Sequence, residues 1–412
     1  MRRALAFLPT AAVVAFAGAA LAGVSGQDFS QIEHGRYLAT AGDCAGCHTK
    51  PGGEDFAGGL PVETPFGKVV APNITPDTET GIGLWSDDDF VNAMTRGIRK
   101  DGAHLFPAMP YPYYTKVSRD DVLAIRAYLT TVPAVRNGVE TDRLPFPLSV
   151  REDMAAWNKL YFTPGEFHRD TSRSDEWNRG AYLVEGLMHC GACHTPKNLA
   201  GGDKNDERLQ GYALQGWFAP DITTDRRRGI GAWSADVLTA YLKSGHNRFS
   251  AATGPMADEV SHSSSKMTEA DLHAVATYLT QQPAPDEKSP QPVAASDPAM
   301  KAGAAIYTDE CSACHTPRGA GVRNLFPALA GSPSVQSTDP TSLIRVVLAG
   351  TQSVASDGAP TAPSMPAFGQ TLGDRETAAV LTYIRNAWGN AATPVSAGDV
   401  SKHREAIVKS GG

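Results

Sequence analysis

Apolar residues recur at helical spacing in three similar segments of the chain. The segments are SRDDVLAIRAYLTTV at 118–132, TEADLHAVATYLTQQ at 268–282 and DRETAAVLTYIRNAW at 374–388. In each, aliphatic residues lie three and four positions apart behind an acidic first turn, which is typical of an amphipathic helix. A shorter apolar helix pattern follows Gly35, Gly180 and Gly303, where the small residue predicts a close helix crossing. We therefore predict an all-α protein.

A second pair of similar segments lies between these helices. GIGLWS at 81–86 matches GIGAWS at 229–234, and acidic residues follow both. Ser86 and Ser234 are therefore predicted to be the N-caps of further helices, because a serine side chain can accept a hydrogen bond from a free backbone N–H group.

The patterns repeat along the chain and divide it into three small helical domains, at 27–140, 175–282 and 299–392. Residues 141–174 are a linker in which SVREDMAAWNKLYF, at 149–162, has helical spacing. This favours a helix packed between domains over one in contact with a membrane. Residues 283–298 are a Pro-rich, extended linker, and residues 393–412 are expected to be a polar, partly mobile tail.

The N-terminus has the pattern of a secretory signal peptide. Arg2 and Arg3 precede an apolar run that ends in Ala20-Leu21-Ala22, the A-x-A form of a cleavage site. An uncleaved anchor is the alternative, but Pro9 and the many alanines make a poor permanent span. We predict a cleaved signal at about residues 1–26. No later run reaches the length of a membrane span, so no other transmembrane helix is expected.

Composition and charge indicate which partners to expect and whether the chain can form ordinary domain cores. The formal net charge of −7 gives no reason to expect a nucleic-acid partner. Hydrophobic residues make up 42% of the chain, which is enough for ordinary domain cores.

All six cysteines of the chain lie in three CxxCH motifs. They are Cys44, Cys47 and His48; Cys190, Cys193 and His194; and Cys311, Cys314 and His315. A redox disulfide would not require the histidine, and a structural zinc site would need a second ligand pair. Covalent haem attachment accounts for all three residues, because i, i+3 and i+4 share one helix face and bring the histidine under the iron. The motifs therefore predict three covalently bound haem c groups with His48, His194 and His315 as axial ligands.

A methionine before each closing helix is the predicted sixth iron ligand. The candidates are Met109 in FPAMPYP, Met256 in TGPMADEV and Met365 in APSMPAF, each expected in a loop stiffened by proline. Met94 and Met267 are rivals in the first two repeats. The matched distances from the second cysteine favour Met109 and Met256, while the helical surroundings of Met94 favour core packing.

Taken together, these strings resemble a known family. APNITPD, GIRKDG, FPAMPYP, HCGACHTP and GPMADEV are similar to those of the trihaem cytochrome c subunits of membrane-bound dehydrogenases from acetic acid bacteria and related proteobacteria. The resemblance covers essentially the whole mature chain. It implies three tandem class I cytochrome c domains joined by long linkers.

The resemblance also implies a function without substrate chemistry. Such a subunit accepts electrons from a catalytic dehydrogenase subunit that holds pyrroloquinoline quinone (PQQ), FAD or a molybdenum cofactor, and passes them to ubiquinone. It implies a location in the periplasm, on the periplasmic face of the cytoplasmic membrane, with a small third subunit as a further candidate partner. Two alternatives stay open: a peroxidase-type enzyme with an open iron at the second site, and a soluble electron shuttle.

Overall fold

The computed structural model describes residues 26–410, except for residues 147, 287 and 358. Nearly all of the predicted signal peptide, 1–26, therefore lies outside the described residues. The first repeat contains α1 (Gly26–Ala41), α2 (Cys44–His48), β1 (Pro61–Thr64), β2 (Gly67–Val70), α3 (Asp87–Arg96), α4 (Tyr111–Tyr114) and α5 (Arg119–Leu129). The connection to the second repeat contains β3 (Asp142–Arg143) and α6 (Asp153–Tyr161).

The second repeat follows the same order of main helices and strands as the first, whereas in the third repeat a helix precedes the strand pair. The second contains α7 (Asp175–Tyr182), a π-helical turn (Leu183–Leu187), α8 (Gly191–His194), a 3₁₀ turn (Asn205–Glu207), β4 (Tyr212–Leu214), β5 (Trp217–Ala219), α9 (Ala235–Ser244), α10 (Pro255–His262), a second 3₁₀ turn (Ser264–Lys266) and α11 (Glu269–Leu279). The third contains α12 (Pro298–Ile306), a π-helical turn (Tyr307–Cys311), α13 (Ser312–His315), α14 (Thr341–Ala349), β6 (Thr351–Gln352), β7 (Ser364–Met365) and α15 (Asp374–Asn386). The chain continues into α16 (Ala397–Ser410).

Helices dominate the described residues, which confirms the predicted all-α class. The strands form only short antiparallel pairs: β1 with β2, β4 with β5 and β6 with β7, while β3 adds to the edge of β2. The predicted N-caps are also present. Ser86 Oγ accepts a hydrogen bond from the backbone N–H of Asp89 at 3.1 Å, and Ser234 Oγ accepts one from Val237 at 3.3 Å.

The opening and closing helices of each repeat cross at a glycine, as the sequence predicted. A Cβ atom on Gly35 would lie 1.8 Å from the backbone oxygen of Ala124. The corresponding distances are 1.9 Å from Gly180 to the oxygen of Ala274 and 2.2 Å from Gly303 to the oxygen of Ala379. Only glycine permits this approach, so one residue sets the geometry of each helix pair.

Substitution of Gly180 by alanine is expected to destabilise the protein. The added methyl group would meet both the Ala274 oxygen and the Tyr278 Cβ, the latter at 2.8 Å, so α7 and α11 would have to separate. Overpacking of this kind costs about 1–3 kcal/mol. Urea unfolding of the haem-loaded chain measures the loss. Gly398→Ala, in α16, is the control, because its Cβ would meet only Ser396 Oγ at 3.7 Å. Equal midpoints for the two variants would contradict the prediction.

The first two repeats share one hydrophobic core, whereas the third has its own. Leu38 and Ile125 of the first repeat belong to the same buried cluster as Leu183 and Leu272 of the second. The cluster of the third repeat includes Tyr307, Ile344, Val380 and Leu381. The first two CxxCH segments are therefore built into one packed unit.

Reciprocal hydrogen bonds join the first two repeats. Tyr37 Oη donates to Asp271 Oδ2 at 2.6 Å, and Tyr182 Oη donates to Asp121 Oδ2 at 2.5 Å. The two tyrosines occupy the same position in their repeats, two residues after Gly35 and Gly180, and the two aspartates the same position in α5 and α11. Each of the two repeats therefore contributes one tyrosine donor and one aspartate acceptor, at equivalent positions, to the contact between them.

The third repeat contacts the second through a different set of groups. Arg227 Nη1 donates to the backbone oxygens of Gln336 and Ala391, both at 3.1 Å. The backbone N–H of Phe218 donates to Ser342 Oγ at 2.8 Å. The described residues of 283–297 form neither helix nor strand, and α12 begins at Pro298, the last residue of the predicted Pro-rich linker.

Helix α6 lies between the first two repeats. Asn158 accepts a hydrogen bond from Tyr111 Oη in the first repeat at 2.5 Å, and Trp157 Nε1 donates to the oxygen of Ala200 in the second at 2.8 Å. None of its residues is fully buried. The predicted inter-domain helix is therefore present and contacts both sides. Within the described part of the chain, every helix is too short or too polar to span a bilayer.

The expectation of a polar, partly mobile tail at 393–412 was wrong for most of that segment. Val395 and Val400 are buried in the core of the third repeat, and α16 packs on α14 and α15. Arg404 adds bonds to the Asp374 carboxylate, at 2.8 Å, and to the Leu372 oxygen, at 2.9 Å. The few apolar residues are spaced to reach the core, although the segment is polar on average.

Candidate haem sites

Each CxxCH motif lies on a very short helix: the whole of the first motif is in α2, and all but the first cysteine of the second and third motifs are in α8 and α13. None of the six cysteines, all of which lie in the described part of the chain, forms a disulfide bond. Burial raises the pKa of the Cys44 and Cys190 thiols to about 12 and that of Cys311 to about 11. A redox CxxC pair requires the opposite shift, because the thiolate is the reactive form. The protein environment therefore does not favour thiol–disulfide chemistry at these motifs.

The histidine of every motif is held in the same way. Its Nδ1 donates a hydrogen bond to a proline carbonyl oxygen: His48 to Pro72 at 2.7 Å, His194 to Pro220 at 2.7 Å and His315 to Pro327 at 3.0 Å. A carbonyl oxygen only accepts, so the proton is on Nδ1 and the lone pair on Nε2 is available to a metal ion. A partner on the second ring nitrogen is the usual way in which proteins orient a histidine ligand.

The same surroundings keep these imidazoles neutral. Burial lowers the pKa of His48, His194 and His315, and the proline carbonyls oppose that shift only in part. A neutral imidazole is the form that binds a metal. The three histidines thus have the tautomer, the orientation and the charge state of an axial ligand.

Sequence reasoning missed the proline carbonyls. Pro72 and Pro220 lie in the matching strings APNITPD and APDITTD, and Pro327 lies in LFPALAG. The Ala-Pro dipeptide recurs downstream of the first two CxxCH motifs, which indicated that this loop has the same position in both repeats. It could not indicate that a backbone oxygen was the functional atom.

The three candidate methionines all lie next to the hydrophobic cores, and all are partly buried. Met109 and Met256 pack against the core shared by the first two repeats, together with Cys44 and Cys190. Met365 packs against the core of the third repeat together with Cys311. The described geometry thus places each methionine at the same core as a cysteine of its repeat. Their role as iron ligands stays a prediction.

Only one of the three methionines lies in a loop. Met109 is in the turn before α4, as expected, whereas Met256 is the second residue of α10 and Met365 ends β7. Pro255 explains the difference at Met256, because proline at the first helical position favours a helix start. The rivals Met94 and Met267 are 4% and 1% exposed and belong to the hydrophobic core.

The first and second sites are neighbours. Helix α10, which carries Met256, packs on α2 of the first repeat, and α4, which follows Met109, packs on the π-helical turn before Cys190. Burial raises the pKa of the Cys47 thiol to about 11, and Asp43 and Cys193 add to the shift. Tyr114 Oη donates to the Gly42 oxygen at 3.0 Å at this junction.

The donor set fits haem c better than a bare metal ion. Each motif offers two thiols for thioether bonds, one oriented imidazole and, at the same core, one soft thioether. The indole Nε1 of Trp233 is buried without an acceptor, and a porphyrin carboxylate could accept from it. Among the described residues, no group of three His, Cys, Asp or Glu side chains converges as a metal site would require.

Comparisons with known proteins agree with this geometry. The family model described as cytochrome c matches residues 32–133 and 300–388, which contain the first and third motifs. The chain is 41% identical to the gluconate 2-dehydrogenase cytochrome c subunit of Pantoea cypripedii, over 91% of this chain and 89% of that protein. It is 40% identical to the alcohol dehydrogenase (quinone) cytochrome c subunit of Gluconobacter oxydans, over 92% and 83%. It is 36% identical to the fructose dehydrogenase cytochrome subunit of Gluconobacter japonicus, over 90% and 82%.

Proposed function

Because the chain belongs to the family of cytochrome c subunits that serve gluconate, alcohol and fructose dehydrogenases, we propose that it carries three haem c groups and relays electrons from a catalytic dehydrogenase subunit to ubiquinone. As an electron-transfer subunit it is not an enzyme on its own, and its cofactor is covalently bound haem c. The donor subunit holds PQQ, FAD or a molybdenum cofactor.

One observation supports three haem groups rather than fewer. All three CxxCH histidines donate Nδ1–H to a proline carbonyl, so three separate parts of the chain orient an imidazole for the same purpose. Cys44, Cys47, Cys190, Cys193, Cys311 and Cys314 would form the thioether bonds. Met109, Met256 and Met365 would close the sixth coordination positions.

The residues of this chain hold the cofactor and fix its surroundings. A bound haem c supplies an iron that takes up and releases one electron at a time. The imidazoles stay neutral and oriented, and the methionine sulfurs would favour reduced iron because sulfur is a soft ligand. With the methionines as sixth ligands, no coordination position would be open to a substrate, which would suit a relay rather than a catalyst.

The proposal places the chain in the periplasm, on the periplasmic face of the cytoplasmic membrane. The predicted signal peptide supports export, and thioether attachment of haem takes place outside the cytoplasmic membrane of bacteria. A catalytic partner, with a small third subunit as a further candidate, would hold the cytochrome at the membrane.

Purification of the native complex tests this function. A tag on the C-terminus of this chain is expected to recover, from the membrane fraction, a larger subunit with PQQ, flavin or molybdenum cofactor. Addition of that subunit's substrate should reduce the haems, and a ubiquinone analogue should reoxidise them. A tagged chain that is found alone in the soluble periplasm, with reduced haems that the quinone analogue leaves unchanged, would contradict the proposal.

A further inference from the structure

A closed hairpin follows the second haem motif. The backbone N–H of Asn198 donates to the Gly202 oxygen at 2.8 Å, and that of Lys204 donates to the Pro196 oxygen at 2.9 Å. This pairing brings Lys197 and Asp203 opposite each other. Trp157 of α6 fixes the tip of the hairpin through its bond to the Ala200 oxygen. The positions of the two charged side chains are therefore set by the backbone.

The Lys197 ammonium group lies directly against the haem-attachment turn. Its Nζ donates to the Gly191 oxygen, between the two cysteines of the motif, at 3.0 Å and to Asp203 Oδ1 at 2.6 Å. The rings of Tyr113 and Tyr212 flank it, with their centroids 5.9 and 5.8 Å from Nζ. The side chain is only 13% exposed. A lysine so enclosed costs free energy to desolvate, which an ordinary surface lysine avoids.

Tyr113, a residue of the first repeat, contacts both Asp203 and the second CxxCH motif. Its Oη donates to Asp203 Oδ2, and its ring closes over the motif so tightly that a Cβ on Gly191 would lie 2.8 Å from Tyr113 Cε1. Tyr113 is four residues from Met109, the predicted ligand of the first site. The cation beside the second site is thus held by the segment that carries a ligand for the first.

The charge of Lys197 acts on the residues of the second site. Burial raises the pKa of the Cys193 thiol, and the Lys197 ammonium opposes that shift. Burial lowers the pKa of His194, the Pro220 carbonyl opposes this, and Lys197 adds to the lowering. Glu259 and Asp43 act on the Cys193 thiol in the opposite direction, so Lys197 is one of several charges near this motif.

The first site has a different neighbour at the matching turn. There the Asp43 carboxyl group occupies the space, because a Cβ on Gly46 would lie 2.4 Å from its oxygens. The two adjacent sites, otherwise joined by reciprocal contacts, therefore differ in the polar side chain that lies against the turn between the two cysteines.

Building on the proposed function, we propose that Lys197, held by Asp203 and between Tyr113 and Tyr212, is a fixed positive charge that raises the reduction potential of the haem at the second site. Reduction adds an electron to that site, and a nearby cation stabilises the more negative state. Burial strengthens the effect, since less water screens the charge.

Spectroelectrochemical titration of the full-length, haem-loaded chain tests the role of Lys197. The wave of the second haem is identified as the one that disappears in the Cys190→Ala/Cys193→Ala variant. Lys197→Met is expected to shift this wave to lower potential, and Asp203→Asn, which removes the counter-ion, to higher potential. Lys197→Arg should restore a value near that of the wild type. Lys204→Met is the control, because this lysine is paired with Glu207 and its side chain is 42% exposed.

Opposite shifts for Lys197→Met and Asp203→Asn, larger than that for Lys204→Met, would support the inference. An unchanged second wave in Lys197→Met, or a shift no larger than that of the control, would overturn it. If Lys197→Met fails to fold, the direction of the shift in Asp203→Asn is the test. A second-haem potential that is unchanged or lower than that of the wild type would overturn the inference. Pyridine haemochrome analysis of the wild type separates this outcome from failure of the proposed function, which would appear as fewer than three haems.

Discussion

Replacement of both Cys190 and Cys193 by alanine is expected to remove one third of the covalently bound haem. The second motif would then have no thiol for a thioether bond, while the other two motifs keep theirs. The pyridine haemochrome signal per mole of protein should fall to two thirds of the wild-type value. Because the first two repeats share a core, loss of this haem should also lower the stability of the first repeat.

A second double variant controls for unfolding and for loss of export. Cys311→Ala/Cys314→Ala should remove a different third of the haem, in a repeat whose core is separate. The two double variants combined should retain one third. If the cysteines served a disulfide or a zinc ion, haem content would stay the same in every variant. Full retention of haem in the Cys190/Cys193 variant would refute the second site.

Replacement of Met365 by alanine is expected to leave the third haem attached and to lower its reduction potential. The thioether would be lost, and with it the ligand that favours reduced iron. Axial ligands set haem potentials over roughly 0.8 V, so the change should be larger than that of any single substitution outside the axial ligands that leaves haem content intact. Potentiometric titration measures it, and loss of the weak absorption band of methionine–iron ligation should accompany it.

Met300 provides the matched control. It lies in the same repeat, is 5% exposed and packs in α12 rather than beside the motif. Met300→Leu conserves volume and should leave all three potentials close to those of the wild type. A Met365→Ala variant that titrates like Met300→Leu would show that Met365 is not a ligand.

The helices were predictable because their physical causes lie in short stretches of sequence. Apolar spacing marked α5, α11 and α15, and the serines at 86 and 234 marked the starts of α3 and α9. Gly35, Gly180 and Gly303 indicated close crossings, since a small residue in an apolar helix has few other purposes. These features depend on neighbours in sequence, which a single chain displays.

The elements that were missed depend on distant contacts or on weak local signals. Helix α16 gains its stability from α14 and α15, so its polar sequence gave little indication of order. The β4–β5 hairpin turns at Gln215 and Gly216, which have φ values of 51° and 72°. Gln-Gly is a weaker hairpin signal than Asn-Gly or Asp-Gly, although the backbone conformation required is similar.

The groups at the candidate sites also fall into those that the sequence identifies and those that only the tertiary structure shows. CxxCH identifies the thiols and the imidazole because one short motif contains them all. The carbonyls of Pro72, Pro220 and Pro327 and the ammonium of Lys197 act through a backbone atom or through the tertiary fold. No spacing rule in the sequence predicts them. The structure adds the surroundings of the haem rather than its attachment points.

Intact-mass spectrometry of the exported, full-length protein tests the central claim most directly. We expect a single species whose mass exceeds that of the processed polypeptide by three haem groups that survive acid denaturation. Peptide mapping should place one group on each of the segments around Cys44, Cys190 and Cys311. A protein that carries fewer than three covalent haems, or a mapped motif that carries none, would contradict it.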